Sequence, residues 1–211
     1  MTVADPFTAP GEHATAVTIP YSERGPASAE SVASFGFWLF LLSDVVMFSG
    51  LFAAYAVLAD HTAGGPDGAR LFDRGYVLLE TACLLFSSFT CGLMALAIER
   101  RSPLPTYLWA GVTFLLGAAF LGLEIREFMR MVAEGAAPSR SAFLSAFFTL
   151  VGTHGLHVTL GLAWLVAMMG QVITLGFRPI VVRRLLCFVL FWHALDIVWI
   201  GVFTIVYLGA H

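Results

Sequence analysis

The sequence predicts an all-α integral membrane protein, in which five transmembrane helices form a bundle behind an N-terminal tail. Hydrophobic residues make up 59% of the 211 residues, charged residues only 12%, and the mean hydropathy is +0.85. Soluble domains carry about twice that share of charge. The apolar residues run continuously over segments near or above the roughly 20 residues that cross a membrane. Continuous runs favour helices over a membrane β-barrel, whose strands alternate between apolar and polar residues.

The first 33 residues differ from the rest of the chain. They hold four of the nine prolines, several small polar residues and no long apolar run. A signal peptide would combine a basic start with a continuous apolar core, which this stretch lacks. We therefore expect a disordered or surface-lying tail over residues 1–33 and a transmembrane domain over residues 34–211.

Five apolar segments are long enough to span a membrane, and the connectors between them are short. Short connectors place consecutive helices side by side as antiparallel neighbours. A hydropathy window of about 19 residues predicts the spans at 34–59, 75–99, 105–132, 141–173 and 182–209.

The arginines indicate the direction in which the spans cross the membrane. Three lie in the connectors opposite the tail, namely Arg70, Arg74 and Arg140. Six lie in the tail or in connectors on its side, namely Arg24, Arg100, Arg101, Arg178, Arg183 and Arg184. Because basic residues are in excess on the cytoplasmic side, we expect a cytoplasmic N-terminus and a periplasmic C-terminus.

Ionisable side chains within the apolar segments are the candidates for function, because burying such groups in a membrane is costly. Asp44 and Glu80 stand alone in the first two segments. The other three segments carry pairs three residues apart, a spacing that puts both members on one helix face. These pairs are Glu124 and Glu127, His154 and His157, and His193 and Asp196.

Residue types alone leave three interpretations of the pairs open. All six residues of these pairs, Asp196 included, could supply ligands to a carboxylate-bridged di-iron centre, although the Glu-x-x-His spacing of such bundles is absent from these positions. His154 or His157 could ligate one haem together with His193. The polar groups could instead satisfy one another between helices. Asp44 and Glu80 are candidates for a proton site or for a contact with a partner subunit.

Several motifs together resemble subunit III of the haem-copper respiratory oxidases. The resemblance covers about residues 34–209 and is most specific in "GTHGLHV" and "WHALDIVW". These stretches repeat the family's His-Gly-x-His and Trp-His-x-x-Asp-x-x-Trp patterns in the same order and spacing. Further matching stretches are "FGFWLFLLSDVVMFSGLFAAYAVL" and "GLEIREF". The stretch "AGGPDGARLFDRGYVLLETACLLFSS" resembles the five-helix subunit 3 of cytochrome bo type ubiquinol oxidases more closely than the seven-helix subunits of cytochrome c oxidases.

The resemblance implies a non-catalytic accessory subunit in a complex that oxidises ubiquinol, reduces oxygen to water and moves protons outward. It implies haems and copper in subunit I and no cofactor in this chain. It also implies oxidase subunits I, II and IV as partners, together with membrane lipid, in a bacterial inner membrane. A subunit III of a cytochrome c oxidase is the alternative, and a stand-alone haem or di-iron membrane protein is a further one. The formal net charge of −3 argues against a nucleic-acid partner.

The resemblance also gives expectations for the polar residues. Asp44, in "LLSDVVMF", occupies the place of the family's membrane carboxylate, which is associated with stable proton uptake by subunit I. We expect three residues to be proton-related or to face subunit I, namely Asp44, Glu80 and Glu124. We expect the others to make structural polar contacts, namely Glu127, His154, His157, His193 and Asp196. One hypothesis pairs His193 and Asp196 with His154 or Glu124.

Overall fold

The computed structural model describes residues 29–62 and 74–209, and five long helices account for most of them. These are α1 (Ala29–Leu58), α2 (Arg74–Glu99), α3 (Pro103–Ala133), α4 (Ala142–Leu175) and α5 (Pro179–Val202). A π-helical segment, Phe203–Leu208, continues α5, and a 3₁₀ turn, Pro138–Arg140, precedes α4. The described ranges contain no strand. All five helices are long and apolar enough to cross a membrane, which confirms the predicted fold class.

When α5 is counted together with its π-helical continuation, the predicted spans agree with these helices to within five residues at either end. The largest difference is the start of α1, which begins at Ala29 rather than after residue 33. Residues 29–33 contain neither glycine nor proline, so the helix continues beyond the apolar stretch that a hydropathy window detects. The last five residues of the predicted tail are therefore helical, and residues 1–28 lie outside the described part of the chain.

Contacts divide the chain into two units, Met1–Trp38 and Leu39–His211. In the first unit, the described part is the opening of α1, where the side chains of Phe35 and Trp38 are exposed. The second unit holds the rest of α1 and the other four helices. All the polar residues predicted to be functional belong to this second unit.

Proline, serine and glycine set the ends of the later helices. Pro103 and Pro179 occupy the first turns of α3 and α5, where a missing backbone N–H costs nothing. Ser141 caps α4, and its hydroxyl accepts a hydrogen bond from the backbone N–H of Leu144 at 3.2 Å. Gly176 ends α4 at a φ of +67°, a conformation that favours glycine. These tight ends allow the short connectors that the sequence indicated.

Two buried tryptophans of α5 are hydrogen-bonded to α2. The indole N–H of Trp192 donates to the hydroxyl of Ser87 at 3.0 Å, and that of Trp199 donates to the hydroxyl of Thr81 at 3.1 Å. A buried indole needs such a partner, since an unpaired N–H in an apolar core is costly. The tryptophans that open and close "WHALDIVW" are therefore core contacts that hold α2 against α5.

Trp192 also fills a space that two glycines leave open. A Cβ atom on Gly117 of α3 or on Gly161 of α4 would lie 2.9 Å from the indole ring. The ring therefore packs against the backbones of both helices. Trp192 thus links α5 to α2, α3 and α4, at the centre of the bundle.

Helix α1 is the least buried of the five helices and joins the others through large aromatic side chains. The ring of Tyr55 lies 6.0 Å from that of Phe143 in α4, and Phe52 covers Gly201 in α5. Because such side chains separate the backbones, a cleft of about 250 Å³ remains between α1 and α5. The loose packing leaves most of α1 accessible to lipid or to another subunit.

Candidate functional site

Three buried glutamates lie within electrostatic range of one another and form what we call the carboxyl cluster, namely Glu80 of α2 with Glu124 and Glu127 of α3. At most 2% of each residue is exposed. The phenol of Tyr207, in the π-helical segment, donates to Oε2 of Glu127 at 3.4 Å, and the guanidinium of Arg130 lies 3.7 Å from Oε1. Neither oxygen of Glu80 has a hydrogen-bond partner among the described residues. The sequence paired Glu124 with Glu127 but did not predict that Glu80 joins them.

The carboxyl group of Glu124 reaches the backbone of α4 at Gly155. A Cβ atom on Gly155 would lie 2.6 Å from Oε1 and 3.0 Å from Oε2 of Glu124. A side chain at this position would force the buried carboxyl group to move, which accounts for the glycine within the His-Gly-x-His pattern. Glu80 and Glu124 are thus enclosed by helices of this chain. Asp44 is better placed than these two glutamates for a direct contact with another subunit, because its side chain is 20% exposed.

A pocket of about 290 Å³ connects the carboxyl cluster with the surface of the bundle. Its lining comprises Glu127, Tyr76 of α2 and two arginines of α3, Arg126 and Arg130. Tyr76 donates its hydroxyl hydrogen to the carbonyl of Leu123 at 3.1 Å, which holds this wall in place. The side chain of Arg130 is 41% exposed, whereas that of Glu127 is fully buried. The entrance to the cluster is therefore basic.

His154 is fully buried among aromatic rings. Its ring centre lies 5.2 Å from that of Trp199, 5.8 Å from that of Phe120 and 6.3 Å from that of Phe48. Neither ring nitrogen has a hydrogen-bond partner in the part of the chain that the structure describes. The contacts of His154 are thus aromatic, and they join α4 to α1, α3 and α5.

Asp44 of α1 and His157 of α4 face each other, with Oδ1 3.9 Å from Nε2. The other ring nitrogen, Nδ1, lies 2.7 Å from the carbonyl oxygen of Thr153. Because a carbonyl only accepts, Nδ1 carries a hydrogen, and a neutral ring presents Nε2 to Asp44 as an acceptor. At 3.9 Å the two side chains approach each other but are too far apart for a direct hydrogen bond. The pair is therefore a polar contact between α1 and α4.

His193 and Asp196 lie on the side of α5 that faces α2. Asp196 interacts with the hydroxyl of Ser88 in α2, and all three residues line a shallow groove of about 520 Å³. No described contact joins His193 or Asp196 to His154 or Glu124. The structure therefore gives no support to the hypothesis that these two pairs meet.

The three histidines of the membrane helices occupy three separate places. His154 lies among aromatic rings, His157 faces Asp44, and His193 lines the groove beside α2. Within residues 29–62 and 74–209, no three His, Cys, Asp or Glu side chains are arranged as metal ligands. The described residues thus bring together neither the di-iron ligand set nor a facing pair of histidines for a haem.

Comparison with known proteins finds relatives along most of the chain. The family model described as "Cytochrome c oxidase subunit III" matches residues 23–211. Cytochrome bo(3) ubiquinol oxidase subunit 3 of Pseudomonas aeruginosa is 58% identical over 174 residues, which cover 82% of this chain and 83% of that protein. Quinol oxidase subunit 3 of Bacillus subtilis is 47% identical over 173 residues, covering 82% and 85%. Cytochrome c oxidase subunit 3 of a Bacillus species is 43% identical over 198 residues, covering 93% and 96%.

Proposed function

This chain belongs to the cytochrome c oxidase subunit III family, and on that premise we propose that it is a non-catalytic accessory subunit of a proton-pumping ubiquinol oxidase. The complex would oxidise ubiquinol and reduce oxygen to water. Ubiquinol is proposed as the electron donor because the chain is 58% identical to a subunit of a ubiquinol oxidase. A cytochrome c oxidase is the second candidate, because a relative of that name matches 93% of the chain at 43% identity.

In this proposal the redox centres belong to another polypeptide. Subunit I holds the haems and copper, and subunits I, II and IV assemble with this chain. The packing of α1 supports an assembly role, since this helix is the least buried of the five and exposes apolar side chains such as Val46 at 65%. Surfaces of this kind contact either lipid or a partner helix. The chain would stabilise subunit I through such a surface.

Asp44 and His157 are the residues that we assign to proton uptake. Their side chains are 20% and 15% exposed, and either can hold a proton on a surface of the bundle. Glu80 and Glu124, in contrast, are enclosed by helices of this chain. A proton held by Asp44 or His157 is accessible to a neighbouring subunit, so this pair would stabilise the proton-uptake region of subunit I.

The bacterial inner membrane is the proposed location, since the relatives are bacterial and the five helices can cross a membrane. The excess of arginines on the side of the tail supports a cytoplasmic N-terminus and a periplasmic C-terminus. In this orientation the basic pocket beside Glu127 opens toward the periplasmic side, because it lies near the end of α3.

Purification through an N-terminal tag in mild detergent tests the proposed function. Oxygen uptake is then measured with ubiquinol and, separately, with reduced cytochrome c. We expect haem-bearing partner subunits and uptake driven by ubiquinol. Uptake driven only by reduced cytochrome c would favour the second candidate. A chain that purifies alone with bound iron or haem would contradict the accessory role.

A further inference from the structure

A polar patch lies at half the height of the membrane, on an open side of α2 and α5. The membrane spans are Gly75–Glu99 for α2 and Pro179–Leu208 for α5 with its π-helical continuation. Ser88 and His193 therefore lie within one residue of the midpoints of their spans. The groove that they line has exposed apolar walls, among them Phe89 at 65%. The patch thus faces outward where a lipid bilayer is most apolar.

The patch contains more hydrogen-bond acceptors than donors. Nδ1 of His193 lies 2.7 Å from the carbonyl oxygen of Val189 and therefore carries a hydrogen. Nε2 of a neutral His193 is then an acceptor, and no described residue donates to it. Asp196 interacts with the hydroxyl of Ser88, and its Oδ1 is buried. The acceptor open to a neighbour is therefore Nε2 of the half-buried His193. A donor from outside this chain would complete the patch.

Lipid cannot supply that donor at this depth, because acyl chains carry no polar hydrogen and the bilayer core holds no bulk water. Ionisable residues at such a position normally face protein rather than lipid. The floor of the groove also admits a close neighbour, since nothing lies within 4 Å of the place where a Cβ atom on Gly92 would be. Small residues of this kind let the backbones of two membrane helices approach.

We propose that the groove lined by Ser88, Gly92, His193 and Asp196 docks a transmembrane helix of another subunit of the oxidase. That helix presents a hydrogen-bond donor to Nε2 of His193 at the middle of the membrane. The inference rests on the proposed function and adds to it the position and the chemistry of one subunit contact.

Photo-cross-linking in the complete complex tests the occupant of the groove. A photoreactive residue replaces Phe89 in the groove or, as a matched control, Leu115 on α3, which is 68% exposed. We expect position 89 to give an adduct with another oxidase subunit, identified by mass spectrometry, and position 115 to give mainly lipid adducts. An adduct at position 89 with lipid alone, or with a second copy of this chain alone, would overturn the proposal.

Substitution of His193 tests the proposed hydrogen bond. His193→Leu removes the acceptor, and we expect about three- to tenfold less subunit adduct from position 89, as for the loss of one interhelical hydrogen bond. His193→Gln keeps an acceptor oxygen and should retain most of the adduct. Equal adduct yields from His193→Leu and the unsubstituted chain would show that no such bond exists.

Filling the groove gives a second test that does not perturb the core of this chain. Gly92→Phe places a ring where the structure has open space, and Gly111→Phe does the same on α3. We expect only Gly92→Phe to reduce retention of the docked subunit during purification, and equal retention would contradict the proposal.

If purification gives an active quinol oxidase but position 89 gives no subunit adduct, the docking inference fails and the proposed function stands. If no haem-bearing complex forms with the unsubstituted chain, the proposed function itself fails.

Discussion

The carboxyl group of Glu124 lies directly against the backbone of Gly155, so close that one added methyl group would collide with it. This contact joins α3 to α4 beside the carboxyl cluster. It relates two sequence motifs, "GLEIREF" and "GTHGLHV", that lie on separate helices.

Gly155→Ala should destabilise the subunit, because the new Cβ atom would lie 2.6 Å from Oε1 of Glu124. Overpacking of this kind costs about 1–3 kcal/mol. Gly152→Ala is the matched control on the same helix, since its nearest contact would be Phe128 at 3.8 Å. Thermal unfolding of the detergent-purified complex should show a lower Tm for Gly155→Ala only. Equal Tm values for both variants would contradict the contact.

Ser87→Ala should weaken the contact between α2 and α5. The indole N–H of Trp192 would lose its acceptor at 3.0 Å and remain buried without a partner. An unsatisfied buried donor costs about 1–3 kcal/mol. Ser43→Ala is the control, because the hydroxyl of Ser43 is exposed and bonds only to the carbonyl of Phe40 in its own helix. The measurement is retention of native complex after heating, and an equal loss for both variants would argue against this role of Trp192.

Glu80→Gln should leave the subunit as stable as the unsubstituted chain, or more stable. Both oxygens of Glu80 lack a described partner, and two further carboxyl groups lie within electrostatic range. Gln has nearly the shape of Glu and cannot become charged, so the substitution removes no described contact and avoids the cost of a buried charge. Glu127→Gln is the contrast, since it weakens the ion pair with Arg130. A Tm for Glu80→Gln below that for Glu127→Gln would show that Glu80 has a stabilising partner in the complex.

The orientation can be tested with two matched cysteine variants. Glu99→Cys lies at the end of α2 and Glu134→Cys just after α3, and both glutamates are exposed. In sealed right-side-out membranes, a membrane-impermeant maleimide should label Glu134→Cys, and it should label Glu99→Cys only after permeabilisation. The reverse pattern would place the N-terminus in the periplasm.

The apolar runs were sufficient to predict five helices, because crossing a membrane sets both the length and the composition of a span. They were not sufficient to predict which helices touch. Every face of these helices is largely apolar, so periodicity does not reveal which faces meet. It did not predict that Ser87 and Thr81 accept hydrogen bonds from the tryptophans of α5. Nor did it predict that Gly117 and Gly161 border Trp192.

The spacing of three residues did not predict that the two histidines have different environments. His154 lies among aromatic rings while His157, less than one turn later, faces Asp44. The two positions differ by about 60° around the helix axis, which is enough to turn one side chain to the core and the other to a neighbouring helix. The partner of His157 therefore depended on the placement of α1, which no local pattern specifies.

The most direct test of the account is the activity lifetime of a complex that carries Asp44→Asn, with Asp60→Asn in the connector after α1 as the matched control. Asp44→Asn removes the acid that faces His157 and that we propose to take part in proton uptake, whereas Asp60 is exposed and lies outside the helices. The measurement is ubiquinol-driven oxygen uptake by the purified oxidase, followed over many turnovers alongside its haem spectrum. We predict a normal spectrum and a normal initial rate for both variants, with a shorter active lifetime for Asp44→Asn alone. An unchanged lifetime for Asp44→Asn would contradict the proposed role of this pair in sustaining proton uptake.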